Sequence, residues 1–107
     1  MLHTPGHTPG SVCLHLPNHG VLFTGDMLLA NGRRFRRPVY FPGTHLEDYR
    51  TSVERLAGLT FDTACVGHGD PIRDEGTARL QEMLDSYSWM SPRWTELKRW
   101  ARLLFPH

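Results

Sequence analysis

Cysteine is scarce in this chain: only Cys13 and Cys65 occur among 107 residues. They lie far apart and neither belongs to a C-x-x-C pair, so free buried thiols and a reducing compartment are the expectation. Long apolar runs are missing. No stretch approaches the roughly 18 residues that cross a bilayer. The opening Met1-Leu2-His3-Thr4-Pro5 has neither the basic nor the apolar segment of a secretory signal. These absences point to a cytoplasmic protein with no membrane contact. Charge of one sign is also missing. A formal net charge of +1 gives no argument for nucleic acid as a partner. There is no internal repeat and no low-complexity segment.

The length suffices for one small domain. Hydrophobic residues at 39% and charged residues at 21% fit a globular chain rather than a disordered one. Histidine is over-represented, with seven copies. Neutral imidazole is the commonest protein metal ligand, so this abundance raises the case for a metal site.

Residues 11–16 alternate, with Val12, Leu14 and Leu16 on one side and Ser11, Cys13 and His15 on the other. The pattern predicts a strand whose Val12-Leu14-Leu16 face is buried. Pro17-Asn18-His19-Gly20 predicts a turn. Val21-Leu22-Phe23-Thr24 is more continuously apolar and predicts a returning strand buried on both sides. This hairpin would deliver Gly25-Asp26 at its end. Residues 30–44 are rich in Gly, Pro and Arg and predict a long loop. Thr44-His45-Leu46-Glu47 matches a capping box. After it, Leu46, Tyr49, Val53 and Leu56 fall on one helix face, and Gly58 is placed for a left-handed cap. Phe61 to Val66 predicts a short strand ending in Gly67-His68-Gly69. Asp74 is placed to cap a helix carrying Leu80, Met83, Leu84 and Tyr87 on one face. Ser91-Pro92 predicts the start of a last amphipathic helix with Trp94, Leu97, Ala101 and Leu104. The order strand, strand, helix, strand, helix, helix predicts an α/β domain with helices on one side of a sheet.

Three segments share a layout of tight turn, glycine and one metal-competent side chain. They are 4–11 with His7, 23–26 with Asp26, and 66–71 with His68. Glycine allows the close backbone approach that presents a ligand at a strand end. Two imidazoles and a carboxylate suit zinc, iron or manganese. Spread over the whole chain, the three have no local spacing signature that fixes their roles.

The string His-Thr-Pro-Gly-His-Thr-Pro-Gly-Ser at 3–11, then Leu-Phe-Thr-Gly-Asp at 22–26 and Gly-His-Gly-Asp-Pro at 67–71, resembles the metallo-β-lactamase superfamily, nearest to its glyoxalase II-like hydrolases. The resemblance runs from about residue 3 to 88. It implies the αββα sandwich fold, and of that the C-terminal half, lacking the N-terminal β-layer. It divides the chain into that half-domain at 1–90 and a C-terminal amphipathic helix at 91–107. It implies that His7 binds a first metal, Asp26 bridges two, and His68 binds the second, with zinc as the usual metal and iron or manganese as alternatives. The implied reaction is hydrolysis of an ester, thioester, lactam or phosphoester by metal-bound hydroxide.

The family's H-x-H-x-D-H motif, source of four further ligands, does not occur in this chain. His3 and His7 are four apart, which is a different pattern. The expectation is therefore a cut member of the family, inactive alone, that self-associates or pairs with the missing N-terminal half. Its alternatives are a mononuclear iron dioxygenase of the same fold and a non-catalytic remnant that binds a partner through an exposed sheet edge. The run Arg33-Arg34-Phe35-Arg36-Arg37 follows Asp26 closely. Arg33 and Arg34 are candidates for binding an anionic small-molecule substrate, against the simpler reading of a solvated loop. His3 reads as a strand residue near the site, with support of a ligand from behind as the alternative. His15, His19, His45 and His107 read as surface residues.

Overall fold

The computed structural model describes residues 1–86 and 88–91. The expected last helix and the face residue Tyr87 lie outside the described residues. Five strands form one sheet: β1 (Leu2–His3), β2 (Val12–Leu16), β3 (Val21–Asn31), β4 (Phe35–Arg36) and β5 (Thr63–Asp70). Two helices, α1 (Leu46–Ala57) and α2 (Gly76–Asp85), complete it. β3 is the spine. β5 runs parallel along one of its edges from Val21 to Asn31. β2 and β4 share the other edge, both antiparallel. A parallel pair needs a crossover, and α1 supplies it between β3 and β5.

The expected hairpin is present, with Leu14 opposite Phe23 across β2 and β3. Its faces are reversed. Cys13 is 1% exposed, whereas Val12 and Leu14 are 46% and 40% exposed. Alternation specifies two faces of a strand but not which one another layer covers. Here α1 and α2 lie over the Cys13 side, where Leu22, Ala64 and Phe35 of the sheet meet Val53 and Leu56 of α1 and Leu80 of α2. For the same reason Val21–Thr24 is not buried on both sides. Leu22 and Thr24 are enclosed, and Phe23 between them is exposed on the uncovered face. Among the described residues no helix is long and apolar enough to cross a membrane.

β3 does not stop at Asp26. Its register to β5 passes from Phe23–Cys65 through Gly25–Val66 to Leu29–His68, so β3 advances four residues between Gly25 and Leu29 while β5 advances two. This bulge lifts Asp26 out of the regular pleat. The predicted loop after residue 30 is in part strand: the chain turns at Asn31, whose Oδ1 accepts from the backbone N–H groups of Arg33 and Arg34, and returns as β4. β5 likewise runs past the expected end at Val66 to Asp70.

The helix ends differ from their sequence signatures because long-range partners supply the capping bonds. His45, not Thr44, caps α1, its Nδ1 accepting from Asp48 N at 3.2 Å. The His45 N–H is itself given to Gly6 O, and Thr44 Oγ1 closes a turn with Phe41 N. Gly58 ends α1 in the right-handed region at φ −80°, with its N–H on Arg55 O. At α2 the cap is Glu75, not Asp74, and no side chain caps it. The first-turn N–H groups of Gly76 and Thr77 are satisfied by Asp62 O and Phe61 O at the entry to β5.

Both cysteines are free, Cys13 buried and Cys65 half-buried. Burial pushes the Cys13 thiol up, opposed by its contact with the Thr4 hydroxyl at 3.4 Å. The thiolate is the reactive form. Titration of the native chain with a thiol reagent near pH 7 is therefore expected to modify Cys65 first and Cys13 only on unfolding. Two thiols reacting at equal rates would contradict this.

Candidate metal centre

The His7 segment is a folded-back loop rather than a strand end. Thr4 N donates to Ser11 O at 2.8 Å, Gly6 N to Thr8 O at 3.2 Å, and the Thr8 and Ser11 hydroxyls meet at 2.7 Å. His3 Nε2 stands 2.8 Å from Pro9 O, closing the loop from the side. His3 thus contacts the backbone of the loop rather than the His7 side chain. Gly6 sits at φ +133° with its Cα against Tyr49 of α1, where a Cβ would overlap Tyr49 N and Cα. No other residue type fits there. His7 follows. Its Nδ1 is fully enclosed and has no hydrogen-bond partner, and it is the one such side-chain atom among the described residues. The His7 ring lies 6.0 Å from that of Phe41.

Asp26 and His68 are 42 residues apart in sequence and are brought together on neighbouring strands. His68 Nδ1 stands 3.0 Å from Asp26 Oδ1. Gly67 makes the contact possible, because a Cβ there would occupy the place of the Asp26 carboxylate. Both side chains are exposed. When His68 Nδ1 carries the hydrogen and donates it to Asp26, Nε2 keeps its lone pair for a cation. Among the described residues no three His, Cys, Asp or Glu side chains close into a metal-holding group. The geometry is thus an Asp26–His68 pair plus a His7 whose buried nitrogen lacks a partner. This orphaned nitrogen and the N, N, O donor chemistry fit a borderline metal such as zinc.

The arginine run divides sharply. Arg33, Arg34 and Arg36 are exposed. Arg37 is buried and acts on structure: it donates to Trp89 O, Pro38 O and Ser91 O and lies 3.8 Å over the Tyr40 ring. Arg34, Arg36 and Arg37, but not Arg33, line an open cleft of about 920 Å³ with Arg79 and Glu82 of α2. In the ladder, Arg36 is paired with Leu29, which is paired on its other side with His68. Sequence reasoning missed Arg36, since only strand register reveals that neighbourhood. It also missed Tyr49, whose buried hydroxyl donates to Met27 O, next to Asp26, at 2.6 Å. Burial pushes the Tyr49 phenol far above its ordinary range, so it stays a donor.

The pattern of the metallo-beta-lactamase superfamily matches residues 1–68. The chain is 38% identical over 69 residues to thioesterase pkgB of Emericella nidulans, a stretch that is 64% of this chain and 18% of that protein. It is 43% identical over 63 residues to a hydroxyacylglutathione hydrolase of Maricaulis maris, covering 59% and 23% of the two chains. It is 37% identical over 91 residues to the acyl-coenzyme A thioesterase MBLAC2 of Gallus gallus, covering 81% and 30%. The matched stretches thus span less than a third of each relative. In three dimensions the chain superposes on a metallo-beta-lactamase family protein of Thermus thermophilus with a TM-score of 0.60 and 31% identity, over 96% of this chain and 30% of that one. The loop of His7, the bulge of Asp26 and the strand of His68 therefore occur in part of a known α/β fold, and the chain belongs to the metallo-beta-lactamase superfamily.

Proposed function

We propose that this chain forms the C-terminal part of a metal-dependent hydrolase acting on an ester or thioester, with His7, Asp26 and His68 as metal ligands. The observation that carries the reading is the Asp26–His68 pair, 3.0 Å apart on adjacent strands, with the partnerless His7 nitrogen as its complement. The thioesterase and hydroxyacylglutathione hydrolase names of the relatives support the substrate class. Zinc held there would lower the pKa of a coordinated water toward about 7 and polarise the substrate carbonyl. Asp26 would offer its carboxylate, and His68 its imidazole on the β5 side. Arg33 and Arg34 remain candidates to hold an anionic part of a small-molecule substrate, and Arg36, which shares the partner Leu29 with His68, joins them. Two free thiols accord with a cytoplasmic setting.

Three ligands make an incomplete pair of sites, and each missing ligand removes binding energy and geometric constraint. The chain of 107 residues is therefore expected to bind zinc weakly and to show no measurable thioester turnover. Further ligands would come from a segment outside it. Elemental analysis after dialysis, with a generic thioester assay, checks this. Two tightly held zincs per chain with turnover of a thioester or lactam would overturn it. One tightly held iron would instead favour the dioxygenase alternative.

A further inference from the structure

Helix α1 touches both ligand-bearing segments from one stripe of its surface. Tyr49 lies about one turn and Ser52 nearly two turns beyond His45, on the same side. His45 N donates to Gly6 O at 2.8 Å, and Ser52 Oγ donates to Pro5 O at 2.7 Å. Between them the Tyr49 backbone is what Gly6 packs against without space for a Cβ. These three contacts hold the two residues before His7. The Tyr49 side chain then crosses the core, 1% exposed, and its hydroxyl donates to Met27 O at 2.6 Å. Met27 follows Asp26 at the bulge. No backbone hydrogen bond between the 4–11 loop and the Asp26 bulge is present among the described residues.

We propose that Tyr49 is a positioning residue that sets the His7 loop against the Asp26 bulge, with Ser52 as its second anchor on the loop, so that α1 fixes the spacing between metal ligands on two different segments. The inference rests on the metal reading above. The physical reason is that a hydrogen bond to a carbonyl beside a bulge restrains where the bulged side chain can point. The hydroxyl is buried, so losing this bond leaves the Met27 carbonyl without that donor. Groups that orient metal ligands from behind typically change metal affinity 10–100-fold when lost.

The test is a Co2+ titration of the full chain, read by the visible d–d absorption, which reports coordination geometry, alongside an apo thermal melt. The variants are Tyr49→Phe, Ser52→Ala, Asp26→Asn and Thr77→Val. Thr77 is the control: its hydroxyl bonds Phe61 N and the Leu59 and Phe61 carbonyls at the far end of β5. The expected result is Co2+ affinity about tenfold weaker in Tyr49→Phe and Ser52→Ala with a changed band shape, and wild-type affinity and spectrum in Thr77→Val despite a lowered melt. If Tyr49→Phe does not fold, Ser52→Ala decides alone. Wild-type affinity and spectrum in both α1 variants, with the bands lost in Asp26→Asn, would overturn the brace and leave the metal reading standing. Equal weakening in Thr77→Val would also overturn it, since the effect would then follow stability. No bands in the wild type, or bands unchanged in Asp26→Asn, would remove the metal reading and the brace with it.

Discussion

Gly6→Ala is expected to destabilise the chain by more than about 3 kcal/mol, while Gly10→Ala in the same loop leaves it unchanged or slightly more stable. Gly6 combines two obstacles. Its φ of +133° is strained for any L side chain, and a Cβ would overlap backbone atoms of Tyr49. A flexible side chain can swing away from such an overlap, but the first half of a packed helix cannot. Relief requires the loop to leave α1, which breaks the His45–Gly6 and Ser52–Pro5 hydrogen bonds together. At Gly10 nothing lies within 4 Å of the would-be Cβ and φ is ordinary. There, alanine mainly reduces the freedom of the unfolded chain, a gain of at most about 1 kcal/mol. Thermal melts of the two variants check this, with a drop of more than about 10 °C expected for Gly6→Ala. Equal melts would show that the loop is not seated on α1 as described.

The second large effect concerns the uncovered face of the sheet. Val12, Leu14 and Phe23 are 46%, 40% and 41% exposed, and Leu14 and Phe23 are directly paired. Both described helices lie on the other face. An apolar face of this kind is an association surface or an aggregation liability. The short outer strands β1 and β4 add backbone groups that can accept another strand. Concentration-dependent sedimentation is expected for the wild-type chain. The double variant Leu14→Lys with Phe23→Lys is expected to abolish it, because an apolar partner would strip the hydration from two ammonium groups, which also repel each other across the ladder. The substitutions touch exposed positions, so some stability is lost to that repulsion but the core is spared. A wild-type chain that sediments as a monomer at every concentration, with a sharp concentration-independent melt, would mean that this face needs no cover.

Much of the site is legible in the residue order. The strings around His7, Asp26 and His68 carry their glycines with them, and those glycines mark real close approaches: Gly6 against Tyr49, Gly67 against the Asp26 carboxylate. The helix face of Tyr49, Val53 and Leu56 is also readable, and all three are buried. Such features follow from local periods, about 3.6 residues in a helix and 2 in a strand, that covalent geometry imposes on any chain.

The departures have non-local causes. The strand 11–16 alternates as expected, but the side that is covered is opposite to expectation, because coverage depends on where α1 and α2 land, far along the chain. Thr44 and Asp74 have the right chemistry to cap helices. They lose to His45 and Glu75 because carbonyls of Gly6, Phe61 and Asp62 set where each helix begins. Of the four arginines in one short run, only register and packing separate exposed Arg33, Arg34 and Arg36 from buried Arg37. By itself the sequence determined the periods of the elements, the glycine-flanked segments around His7, Asp26 and His68, and the family. Tertiary structure alone decided which sheet face is covered, that Asp26 meets His68 across a bulge, and that Tyr49 touches both Gly6 and Met27. Those outcomes depend on contacts between residues tens of positions apart, and no local pattern encodes them.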